Sequence, residues 1–140
     1  MAGKSDFTED EWNTLHRGIT GSGMLVSVVD PGFTATFKES SAMAKHIAAA
    51  RAGSASQLIR ELAATSGTGW AVATKPEELR ASTIEALTQS VALLQAKAAD
   101  ELPAYRAFAL ELANAVAAAA KGGDEAEASA IAAITQALGA

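Results

Sequence analysis

Between Ala107 and Leu138 the chain reads AFALELANAVAAAAKGGDEAEASAIAAITQAL, and no other stretch constrains the fold as strongly. It spells one helix, a glycine turn and a second helix with an acidic first turn. Gly122 and Gly123 supply the backbone freedom that ends a helix. Asp124 stands at an N-cap position and Glu127 falls at N3, a variant of the capping box. Tyr105, Phe108, Leu112 and Val116 share one face of the first helix, and Ile131, Ile134 and Leu138 share one face of the second. The remaining segments read as helices that pack against this hairpin.

From the start, Met1 to Phe7 reads as a flexible leader, followed by one helical domain over 8–140. Thr8 and Glu11 form a capping box. Trp12, Leu15, Ile19, Val26 and Val29 then recur near helical spacing, which predicts a helix from about Glu9 to Val29. Gly18, Gly21 and Gly23 each weaken such a helix by roughly 1 kcal/mol relative to alanine. Either the helix bends there, or a neighbour packs closely on it. Asp30-Pro31-Gly32 ends it.

A second helix is expected from Phe33 or Thr34 to Ala52, with Phe37, Met43, Ala44 and Ile47 inward. A third, capped by Ser54 or Ser56, carries Leu58, Ile59 and Leu62. Thr65 to Thr74 (TSGTGWAVAT) is a loop holding the apolar Trp70. Thr74 and Glu77 then cap a fourth helix, with Pro76 in its first turn and Leu79, Ile84, Leu87, Val91 and Leu94 on one side. Pro103 interrupts the chain after Asp100. No segment alternates with period two long enough to argue a sheet. The fold class is all-α, a bundle of about five to seven helices.

Composition narrows the function. Among 140 residues there is no cysteine, so disulfides, thiolate nucleophiles and thiolate metal sites are excluded. The net charge of −5 is uneven: residues 1–70 carry six basic and seven acidic groups, residues 71–140 five and nine. An acidic second half repels phosphate backbones and argues against nucleic acid. No apolar h-region opens the chain. The alanine-rich run from Ala107 to Ala120 carries Glu111 and Asn114 and is too short for a membrane span. The expected location is cytoplasmic.

The carboxylates at the turns are the candidate chemistry. Asp30 and Glu39 flank one helix connection, and Asp124, Glu125 and Glu127 crowd another. Turns offer carboxylates and carbonyls together, the oxygen set that calcium or magnesium requires, while the same acids also serve as ordinary helix caps. The EF-hand pattern is absent. Val26–Glu39 (VSVVDPGFTATFKE) and Val116–Glu127 share a rhythm of helix end, glycine turn and acid, either a duplicated hairpin or coincidence. His16 and His46 lack the Glu-x-x-His pairing of a di-iron bundle and read as surface or boundary residues. No nucleophile–base motif occurs. Trp70 either folds back onto the bundle or anchors a partner.

The hairpin NAVAAAAKGGDEAEASAIAAITQAL resembles the C-terminal signature of the tellurite-resistance TerB-like helical domains. Gly122-Gly123-Asp124-Glu125-Ala126-Glu127 supplies the turn and acids, and Ile131, Ile134 and Leu138 the repeat. Lys121 departs from the pattern, standing where the family usually has aspartate. The resemblance implies a single non-enzymatic all-helical domain associated with stress response and divalent-cation binding. On this reading Asp30, Glu39, Asp124 and Glu127 are metal ligands or a charged docking surface, with Trp70 and Glu125 toward a protein partner. The alternative is a structural bundle that self-associates through alanine faces and Trp70, with no ion site.

Overall fold

The computed structural model describes residues 3–28, 44–65, 76–119 and 125–139. The fold is all-α. Among the described residues there are six α-helices and no strand: α1 (Glu9–Val28), α2 (44–53), α3 (Gln57–Ala64), α4 (Pro76–Lys97), α5 (Leu102–Ala119) and α6 (Glu125–Leu138). Two 3-10 turns, Lys4–Asp6 and Ala99–Glu101, precede α1 and α5.

Helix α1 is the axis of the bundle, packed chiefly on α4 and α5. The capping box that opens it is formed: the Thr8 N–H donates to Glu11 Oε1 at 2.8 Å, and the Glu11 N–H to Thr8 Oγ1 at 3.2 Å. Trp12, Leu15, Ile19, Leu25 and Val26 are buried along it. Gly18 lies inside the helix because neighbours leave no room for a side chain. A Cβ there would collide with the Tyr105 hydroxyl and lie 3.1 Å from Leu87 Cδ2. Close packing, not a break, explains this glycine.

The buried stripe of α4 differs from the expected one. Leu79, Leu87 and Leu94 are buried, but Ile84 and Val91 are only half-buried. Thr83, Ala86 and Ser90 take the intervening inner positions. Small hydroxyl residues fit a close helix contact when their own helix satisfies them, and Ser90 Oγ donates to the Ala86 carbonyl at 2.7 Å. Ser22, facing inward on α1, does the same to Gly18 at 2.7 Å.

The hairpin of α5 and α6 is present, and its apolar faces are largely as expected: Tyr105, Phe108, Leu112, Val116, Ile134 and Leu138 are buried, Ile131 half-buried. Pro103 sits in the first turn of α5, where its missing N–H breaks no helical bond. Arg106, near the start of α5, donates from Nε to the Leu138 carbonyl at 2.6 Å and so caps the far end of α6. Gly139 follows in the left-handed region at φ 68°, the backbone that a helix-ending glycine supplies without strain.

Two other expectations change. The leader is folded from Gly3 onward: the Lys4 N–H donates to Glu61 Oε2 at 2.9 Å, and Phe7 joins the core against Trp12. An apolar aromatic so close to α1 has more to gain from burial than from fraying. Ala44 is exposed rather than inward, and α2 meets the core through Ile47 and Ala50. Lys97 reaches Glu11 at 2.5 Å and lies 5.7 Å above the Phe7 ring.

Candidate functional site

The acidic turns nominated by the sequence lie outside the described residues. Asp30, Glu39, Trp70 and Asp124 fall there entirely. Glu125 and Glu127 have helical backbone in the first turn of α6, but their side chains fall there too. Among the described residues no group of three or more histidines, cysteines, aspartates or glutamates comes together. None of their helices is long and apolar enough to cross a membrane.

What the described residues do assemble is a groove of about 380 Å³ between α2 and α5, lined at one end by the 54–56 connection. Alanines make its walls: Ala49 and Ala50 on α2, Ala104 and Ala107 on α5. Small side chains on both helices leave the space open, and Phe108 and Ile59, both buried, form its floor. His46 stacks on Phe108 with ring centroids 5.6 Å apart. Its Nε2 lies 3.8 Å from Glu111 Oε2, too long for a hydrogen bond. The Glu111 side chain is 67% exposed and that of His46 27%.

Next to the 54–56 end lies a satisfied polar knot. Ser56 is the N-cap of α3, and its Oγ accepts from the Ile59 N–H at 3.3 Å. The same hydroxyl donates to Glu101 Oε2 at 2.6 Å, which explains how a carboxylate only 7% exposed is tolerated. Arg60 Nη1 donates to the Ser54 carbonyl at 2.6 Å, and the Ser56 N–H donates to Ser54 Oγ at 3.2 Å. Each of these groups is engaged in shaping the connection.

No protein-family model, curated protein or solved structure matches this chain.

The histidines part company. His46 is at the groove mouth, a boundary position. His16 is only 6% exposed, on α1, so the expectation of a surface or boundary residue does not hold for it. Burial holds its pKa below the ordinary value, outweighing a hydrogen bond to the Thr65 backbone that acts the other way. Thr65 also accepts from Trp12 Nε1 at 3.1 Å and donates to the Glu61 carbonyl at 3.0 Å, tying the end of α3 to α1. Tyr105 is similarly structural: burial raises its pKa, and its hydroxyl donates to the Leu15 carbonyl at 2.7 Å.

Sequence reasoning passed over Glu111 as a site residue. The signal was present, since Glu111 is one of two polar residues in the Ala107–Ala120 run. Its neighbour His46 belongs to a different helix, and spacing along one chain cannot pair them.

Proposed function

We propose that the chain is a non-enzymatic cytoplasmic helical module of the tellurite-resistance type, acting in stress response through acidic turns. Asp30, Glu39, Asp124 and Glu127 bind a divalent cation, calcium or magnesium, or offer the same carboxylates to a protein partner. The observation that carries this reading is the α5–α6 hairpin. Its two helices end at Ala119 and begin at Glu125, so the Gly-Gly-Asp segment connects them and Glu125 and Glu127 open the second. That order of helix, glycine turn and acids supports the reading. The acidic balance of residues 71–140 supports it as well.

The test is calorimetric titration of the whole chain with Ca²⁺ and Mg²⁺, beside Asp124→Asn. Micromolar binding lost in the variant supports the reading. Absence of heat with either ion, together with no retained protein partner, rejects it.

A second reading is favoured by one observation. Helix α2 exposes Ala44, Ala48, Ala49 and Ala52, a small-residue surface suited to close helix contact. On this reading the chain is a self-associating structural bundle, and Trp70 belongs to the contact. A sedimentation mass that rises with concentration, unchanged by either cation, selects it over the first.

A further inference from the structure

We infer that the groove between α2 and α5 binds a small cationic amphiphile, an amine whose apolar body lies along the groove and whose ammonium group meets Glu111. Ligand sites in helical bundles lie between helices, in clefts of a few hundred Å³ with apolar walls and few polar groups. This groove has that size, an alanine wall on each side and a floor of Phe108 and Ile59. From Ala104 to Glu111 the wall spans seven helical steps, about 10 Å at about 1.5 Å per residue. A short alkyl chain or a single ring with a side arm fills such a length.

The sign of the charge follows from which polar groups remain to be met. At the 54–56 end the lining residues Ser54 and Ser56 are already engaged, Ser54 with Arg60 and the Ser56 N–H, Ser56 with Glu101 and the Ile59 N–H. A ligand gains little there beyond apolar contact. Toward Glu111 the carboxylate is mostly exposed, and its His46 contact at 3.8 Å is not a hydrogen bond. An ammonium at this position pairs with the carboxylate, and an exposed ion pair of this kind is worth a few-fold in affinity. An anionic amphiphile would instead bring like charge to Glu111.

The test uses three probes of one size and shape on the whole chain: hexylamine, hexanol and hexanoate, followed by backbone NMR shifts at saturation. The amine is expected to bind saturably, with shifts at Ala49, Ala104, Ala107 and Glu111, and about threefold more tightly than the alcohol. Glu111→Gln is at an exposed position, so it should preserve the fold and bring amine affinity to that of hexanol. Ala107→Phe, which fills the groove from its exposed wall, should abolish binding of both. Equal affinity for all three probes, tighter binding of hexanoate, or shifts lying elsewhere would overturn the proposal. So would amine binding that persists unchanged in both variants.

Discussion

The Tyr105 hydroxyl donates to the Leu15 carbonyl at 2.7 Å and lies where a Cβ on Gly18 would have to be. One residue of α5 thereby fixes both the depth at which α1 sits and the identity of a glycine in its middle. A buried tyrosine needs a partner for its hydroxyl, and here the partner is main chain on the neighbouring helix.

Gly18→Ala should therefore destabilise the fold although alanine is the better helix former. Propensity favours the change by about 1 kcal/mol, while overpacking a filled contact costs about 1–3 kcal/mol. With Tyr105 held by its hydrogen bond, the cost wins. Removing the hydroxyl in Tyr105→Phe should cost about 1 kcal/mol alone and relieve most of the Gly18→Ala penalty in combination. Urea unfolding of the four proteins in the cycle measures that coupling; additive effects would refute the contact.

Ser56→Ala should be costlier than an ordinary cap substitution. It loses the N-cap of α3, about 1 kcal/mol, and strips the buried Glu101 carboxylate of its hydroxyl donor, which adds about 1–3 kcal/mol. Chemical denaturation should show a combined loss of about 2–4 kcal/mol. Thermal unfolding of Ser56→Thr, which keeps the hydroxyl, should remain near that of the parent.

Acid should weaken the fold through His16. Its folded pKa lies below 6.5, so the unfolded chain takes up the proton first as pH falls. The stability His16 contributes is complete above the ordinary value, declines as pH drops toward the depressed folded value, and changes no further below it. Denaturation midpoints collected from about pH 7 to about pH 5 should fall, and the fall should be shallower in His16→Gln.

Lys97 lowers the pKa of Glu11, first through their side-chain hydrogen bond and then with help from the Thr8 N–H. The interaction stabilises the fold above the ordinary carboxylate value and is lost as pH falls through the depressed one. In Lys97→Met, carboxyl NMR titration should find the Glu11 midpoint moved upward. An unchanged midpoint would mean the pair is not formed in solution.

Deleting residues 1–7 should be destabilising, because Phe7 is part of the core. Loss of a buried phenylalanine side chain costs about 3–5 kcal/mol. Phe7→Ala should account for most of the effect of the deletion in thermal unfolding.

Local signals read well from the sequence where one helix decides its own structure. The Thr8–Glu11 box and the spacing from Trp12 place α1 correctly, with its end at Val28 beside the expected Val29. The inner residues of α5 follow from periodicity alone. Features set by a second element did not read. Ser90 looks like a solvent-facing residue until α1 approaches at Gly18, and the buried Thr83, whose Oγ1 has no hydrogen-bond partner among the described residues, does not announce its burial either. Glu101 lies four residues after Lys97, the spacing of a surface pair, yet Ser56 offers it a buried hydrogen bond and Glu11 offers Lys97 a partner. The groove is the same kind of case: alanines announce close packing, and only the placement of α2 against α5 shows where they leave a gap.

The most direct measurement of the proposed cation binding is a backbone NMR titration of the whole chain with Ca²⁺ and then Mg²⁺. Shifts concentrated at Asp30, Glu39 and Asp124 through Glu127, saturating in the micromolar range, are the predicted result. Saturation with no shift at those residues, or no response to either ion, would contradict it.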